Sequence, residues 1–190
     1  MAKNWKNYYL DNAVHHVTGT VHQWQPILLY PEIVESVYEE FNRKASDFSI
    51  SLMAYVLMPE HFHLLIRSAA GAQIKSFLQS ARRSISGKAK IVIESNHYKL
   101  RRYCQNRGVD IQSFYELTAG KSQFRFWKEK PRVVAILNAQ DIGRKIDYIH
   151  NNPVRRGLVE YPNQWPHSSF MTIVEGKAMA SGCHLSQIPS

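Results

Sequence analysis

Cysteine is scarce in this 190-residue chain, and its two cysteines, Cys104 and Cys183, stand far apart with no CxxC pair and no Cys/His cluster. That spacing argues against a disulfide framework and against a structural zinc site. No stretch approaches the roughly 18 apolar residues of a membrane span. No apolar run of about 7–15 residues follows the basic residues of "MAKNWKNYYLDN", so no secretory leader is read there. Repeats and low-complexity segments are lacking too. The expectation is a soluble, cytoplasmic protein with no membrane partner. Its 44% hydrophobic content suffices for one domain spanning residues 1–190.

Acidic residues are also scarce in one region. Between Lys75 and Arg132 there are 14 Lys/Arg against Glu94, Asp110, Glu116 and Glu129, a local balance of +10 in a chain whose total is +9. The remainder is close to neutral. Positive charge concentrated in this way is the footprint of a polyanion, because each neutralised phosphate releases condensed counterions. Aromatics interleave with the cations in "HYKLRRYCQ" and "FRFWKEK". Tyr98, Tyr103, Phe124, Phe126 and Trp127 are therefore candidates for stacking unpaired bases. Alternation sends Phe124 and Phe126 to one face, which makes that pair core candidates instead. A solubilising basic surface is the plainer reading of the charge.

Periodicity then orders the chain. Residues 13–22 read as a β-branched strand, and Pro31 opens a helix with Ile33, Val34, Val37, Tyr38 and Phe41 on one face. Residues 48–57 read as a second strand, "MPE" as a tight turn and "HFHLLIR" as a third strand. A helix follows from Ala72 to about Ile93, with Ile74, Phe77, Leu78, Ala81 and Ile85 as its buried stripe and Arg82 and Arg83 off it. Residues 95–123 are basic and irregular in pattern. "FRFWKEKPRVVAIL" carries a fourth strand, and Asn138 caps a last helix that must stop at Pro153. This order predicts an α+β, ferredoxin-like βαββαβ sandwich, an antiparallel sheet with helices on one face, plus a C-terminal helix.

Two places in this frame carry chemistry. His61 and His63 alternate with Phe62, so both imidazoles project from one strand face with Cα atoms about 6.8 Å apart. At that separation two imidazoles can reach one metal ion, although a satisfied pair on a sheet face shows the same spacing. On the last helix Ile142, Ile146 and Ile149 fall within about 60° of one another and mark the core stripe. Tyr148 lies roughly 125° from its centre, with Asn152 and Arg144 one turn to either side. A half-buried aromatic with a solvated hydroxyl fits that phase equally well.

"YVLMPEHFHLLI", "DYIHNNPVRRGLV" and "QWPHSSF" resemble the single-tyrosine HUH transposases, and among them the REP-associated tyrosine transposases, an insertion-sequence-like group. The resemblance runs from about Tyr8 to Phe170. It implies that His61 and His63 bind a divalent metal, Mg²⁺ or Mn²⁺, that Tyr148 is the nucleophile, and that Asn152 supplies a further metal ligand. The implied reaction cuts and rejoins single-stranded DNA near a hairpin through a 5′-phosphotyrosine, by a monomer or a homodimer, nucleoid-associated when bound to DNA. Arg82, Arg83, Arg144, Arg155 and Arg156 are candidate phosphate contacts. Glu60 stands where many members carry Asn, and the first strand lacks an arginine often found there. The segment at about 95–123 reads as a basic insertion, and an irregular tail begins at about residue 171. Two other classes remain open: a domesticated protein that binds DNA or RNA hairpins and cleaves little, and a phosphodiesterase in which water attacks instead of Tyr148.

Overall fold

Four strands carry the molecule, and their side-chain alternation decides what lies on each side of them. In the computed structural model, which describes residues 6–118, 121–177 and 182–186, these strands are β1 (Val14–Thr20), β2 (Ser51–Leu57), β3 (His61–Arg67) and β6 (Arg132–Ile136). They form one sheet in the order β2-β3-β1-β6, with every neighbouring pair antiparallel. This is the ferredoxin-like sandwich that the order of elements predicts.

Helices α1 (Pro31–Asp47) and α2 (Gly71–Ser95) cover one face. Pro31 sits in the first turn of α1, where its missing N–H costs nothing. The stripes Ile33/Val37/Phe41 and Ile74/Phe77/Ala81/Ile85 are fully buried against Val17, Phe62, Leu64 and Ile66 of the sheet. Helix α4 (Ala139–His150) packs on the other face, where Ile146 and Ile149 meet Val14, Ala54, Val56 and Leu65. The Asn138 side chain accepts a hydrogen bond from Gln140 N, the cap expected there. A short α5 (Asn152–Arg155) continues past Asn151, with Pro153 in its first turn.

The segment at about 95–123 is more regular than its pattern suggests. It holds α3 (Tyr98–Arg107) and a hairpin of β4 (Tyr115–Thr118) and β5 (Lys121–Phe124); residues 119–120 lie outside the described residues. Only Leu100 and Cys104 of α3 are buried, one turn apart, which is too thin a stripe to read from sequence. Phe114, Phe126 and Trp127 are core residues and Phe124 packs against that core, so these aromatics are not offered to bases. The tail expected from residue 171 begins with the turn α6 (Phe170–Ile173); residues 178–181 and 187–190 lie outside the described residues.

The "QWPHSSF" stretch seals the free edge of β2. Leu57 N donates to His167 O at 2.8 Å, the Trp165 indole N–H donates to Leu57 O at 2.9 Å, and Ser169 N donates to Tyr55 O at 3.0 Å. Covering an edge in this way removes a template for aggregation. Among the described residues no helix is long and apolar enough to cross a membrane.

Gly19 on β1 lies opposite Phe62, and a Cβ there would come within 2.3 Å of the Phe62 ring. Gly19→Ala is expected to destabilise the fold by about 1–3 kcal/mol, because Phe62 is fully buried and cannot retreat. The thermal midpoint should fall by roughly 2–10 °C. An unchanged midpoint would show that the ring has room to move.

Candidate active site

Antiparallel pairing of β1 with β3 places Thr18 opposite His63 and Thr20 opposite His61. Alternation then puts His16, Thr18 and Thr20 on the same face as the two histidines, the face that α4 covers only in part. Between them opens a cleft of about 720 Å³ lined by His16, Thr18, His63, Trp24, Lys145 and Tyr148, with Lys128, Lys130 and Arg132 along its rim. Among the described residues Glu129 is the one acid in that lining. The cleft is therefore strongly positive.

Each imidazole of the pair is anchored through Nδ1. His61 Nδ1 lies 2.9 Å from Glu60 Oε1, a pure acceptor when ionised, so the ring donates from Nδ1. His63 Nδ1 lies 3.0 Å from both His16 Nε2 and Thr18 Oγ1. In both rings Nδ1 is the atom so engaged, which is how second-shell partners orient metal-binding histidines. Burial, followed by the nearness of His16, His61 and Lys145, pushes His63 down to about 2 against an opposing hydrogen bond that its ring donates to the Asn152 oxygen. His16 is pushed down to about 3 by burial and then by Lys145 and Arg132. Both rings are neutral at physiological pH, as coordination requires.

Glu60 ties the two halves of the site together. Its Oε1 also pairs with Arg156 Nη2 at 3.0 Å, so the residue before His61 is bound to the residue after α5. Burial alone would raise the Glu60 carboxyl. The hydrogen bond from His61 and the Arg156 guanidinium beside it hold it below the ordinary carboxylate range.

Helices α4 and α5 bring the remaining groups. The Tyr148 ring stands edge-on to His63 at 5.6 Å and to His16 at 5.9 Å. Lys145 Nζ lies over the Tyr148 ring at 4.8 Å and the Arg155 guanidinium at 5.3 Å. Asn152 is buried, and its Nδ2 donates to Tyr148 O at 2.7 Å, which turns its side-chain oxygen toward His63. Among the described residues no group of three or more His, Cys, Asp or Glu side chains is placed to hold a metal. A ligand set here would consist of two imidazoles completed by the Asn152 amide, with further positions left for water or phosphate. The anchored rings and the oriented amide fit such an ion.

His61, His63, Tyr148 and Asn152 thus meet in one place. The five arginines do not share one location. Arg155 lies at the tyrosine, and Arg156 is engaged by Glu60. Arg144 is 79% exposed at its side chain and pairs with Asp141. Arg82 and Arg83 are on α2, across the sheet from the histidines. The Arg82 guanidinium lies over Trp127 and donates to Glu129 O, so it braces residues 127–129 from within the protein. His16, Thr18, Trp24 and Lys145 join the site without a motif of their own. Lys145 was legible as the i−3 neighbour of Tyr148 on one helix face, whereas His16 and Thr18 depend on strand register.

Between Tyr148 and Asn152 in the chain, His150 is buried with Nε2 2.9 Å from Ser169 Oγ. Burial pushes it down to about 4, against a smaller upward effect of Asp147. Between that value and the ordinary 6.5 the unfolded chain binds a proton that the native protein refuses, so stability falls as pH falls through this window. His150 alone should account for roughly 3 kcal/mol lost by pH 4. Urea midpoints at pH 7 and 4.5 test this: His150→Gln should show a shallower loss than the parent, and equal slopes would remove His150 as the cause.

Residues 10–129 match the family model described as transposase, IS200 like. A Haemophilus influenzae protein provisionally assigned as a REP-associated tyrosine transposase is 25% identical over 132 residues, covering 68% of this chain and 64% of that protein. The match therefore spans a little under two thirds of that relative's length. An Escherichia coli K12 REP-associated tyrosine transposase is 42% identical over 48 residues, 25% of this chain and 26% of its own. The solved structure of a REP-associated tyrosine transposase bound to a REP hairpin superposes with a TM-score of 0.66 at 18% identity, covering 97% of this chain and 99% of that one. At that identity the likeness shows the fold.

Proposed function

The chain belongs to the IS200-like transposase family, and from that premise and the geometry of the cleft we propose that it is a single-strand DNA transesterase using Tyr148 as nucleophile. The observation that carries this reading is the placement of one phenol beside His63, with Lys145 and Arg155 over its ring, inside a cleft of positive charge. Lys145 and Arg155 would hold the scissile phosphate where the Tyr148 oxygen can reach it in line. The Tyr148 oxygen forms a bond to phosphorus as the bond to the 3′ oxygen breaks. The proton lost by the phenol is balanced by the one gained at the new 3′-OH. The product is a 5′-phosphotyrosine, which preserves a phosphoester so that another 3′-OH can reverse the step without ATP. His61, His63 and Asn152 would hold Mg²⁺ or Mn²⁺, which when bound withdraws charge from the non-bridging phosphate oxygens.

DNA hairpins are the substrate class proposed, since the superposed transposase is bound to one and the rim carries Lys128, Lys130 and Arg132 for phosphate. The test is a denaturing gel of the purified protein with labelled hairpin oligonucleotides bearing single-stranded flanks, in Mn²⁺. A slow-migrating covalent band supports a tyrosine transesterase. Cleavage with no band would indicate that water attacks. Tight binding with neither would leave a hairpin-binding protein on a transposase scaffold.

A further inference from the structure

We propose that Trp24 and Lys128 form a subsite for one unpaired nucleobase next to the scissile phosphate; this rests on the single-strand reading above. The backbone supplies the first observation. β1 ends in a tight turn, His22–Trp24, in which Gln23 (φ 48°, ψ 26°) and Trp24 (φ 59°) both adopt left-handed conformations. For residues with a Cβ, such conformations persist only where their surroundings enforce them, and they concentrate at functional sites. Here the surroundings do enforce them. Val21 N donates to Glu60 O and His22 N to Phe126 O, each at 2.8 Å, while Asp110 N donates to the Gln25 side chain at 2.7 Å.

The second observation is where this turn puts the indole. Trp24 is 50% exposed, whereas Trp127 is buried and Trp165 spends its N–H on Leu57 O. Packing does not require an outward indole at this point. Its ring lies edge-on to His61 at 6.1 Å and lines the same cleft as His63 and Tyr148. An exposed flat face in contact with the candidate metal ligand His61 suits a base whose own phosphate is the one being attacked.

Lys128 supplies the third observation. Its Nζ lies over the Trp24 ring at 5.5 Å, held there because Lys128 N donates to Thr20 O at 2.8 Å at the end of β1. No acidic partner pairs with it among the described residues. A cation on one side of the indole can take the phosphate that flanks the stacked base, while the base stacks on the other side. The ligand class is a single-stranded nucleotide read through its π face. Base identity is therefore tolerated, and loss of the base is not.

The test uses the full chain carrying Tyr148→Phe, so that strand cleavage does not consume the probe. The probes are a DNA hairpin with oligothymidine flanks and a series in which each flank nucleotide in turn is abasic. With Trp24 intact, one abasic position beside the hairpin should weaken binding about tenfold and abolish part of the tryptophan fluorescence quenching. Adding Trp24→Ala should weaken binding to the intact flank about tenfold and remove sensitivity to that abasic position, while Trp24→Phe retains most of both. Lys128→Ala should weaken binding to all flanks and reduce its salt dependence by about one ion. If Trp24→Ala binds as tightly as the parent and still senses the same abasic position, the subsite is wrong while the single-strand reading stands. If the parent binds no hairpin or flank at all, both fall together.

Discussion

Tyr148→Phe is expected to eliminate the covalent protein–DNA band and to lower strand cleavage by at least about 10³-fold, the scale on which enzymes fail when a covalent nucleophile is removed. Hairpin affinity should stay within about threefold, and the fold should change by no more than about 0.5 kcal/mol. The structure explains why the change is so selective. Among the described residues the side-chain contacts of Tyr148 are made by its ring, with the edges of His63 and His16 and the cations of Lys145 and Arg155. No partner of its hydroxyl occurs among the described residues. Phenylalanine therefore keeps the packing and loses only the reacting oxygen. The measurement is paired: a denaturing gel for covalent product and a native binding titration on the same hairpin. Cleavage that survives Tyr148→Phe would transfer the nucleophile's role to water, and loss of binding together with cleavage would mean that the phenol positions DNA instead of attacking it.

The parts of this site that sequence reveals are those fixed by local period. Alternation alone puts His61 and His63 on one face and Phe62 on the other, and helix phase puts Tyr148 off the core stripe. The ferredoxin-like order was legible for the same reason, because α1, α2 and the paired strands each carry a long buried stripe. What was hidden depends on pairing at a distance. His16 and His63 are 47 residues apart, and their contact exists only because β1 and β3 pair in one register. Trp24 reaches the cleft through two left-handed residues, neither of them glycine, so no turn signal announces it. Arg82 illustrates the converse. A guanidinium off the apolar stripe reads as a phosphate contact, yet it folds over Trp127 and caps Glu129 O. Charge can be counted from sequence, but whether a long side chain turns inward cannot.

His63→Ala is expected to remove divalent-ion binding, by more than about 100-fold in affinity, and to take strand cleavage down with it. The donor set proposed here has only two imidazoles and one amide, so a single deletion leaves too few ligands to retain the ion against water. Thermal melts with and without Mn²⁺ read this independently of activity. A ligand that binds only the folded state raises its stability by RT ln(1 + [L]/Kd), so the parent should melt higher in Mn²⁺ and the variant should not. The variant should also start about 1–3 kcal/mol lower, because His16 and Thr18 lose a buried partner. That baseline offset is why the metal-dependent difference, and not the midpoint itself, is the quantity to compare. Glu60→Gln makes the argument graded. A glutamine amide can donate to His61 Nδ1, which favours the tautomer with its proton on Nε2 and withdraws the coordinating lone pair, and it leaves Arg156 without a counter-charge. The expected loss is about 10- to 100-fold in Mn²⁺ affinity with both imidazoles still present. A parent melt that ignores Mn²⁺ would remove the metal from the proposal. A parent that responds while Glu60→Gln matches it would confine Glu60 to bracing α5 through Arg156.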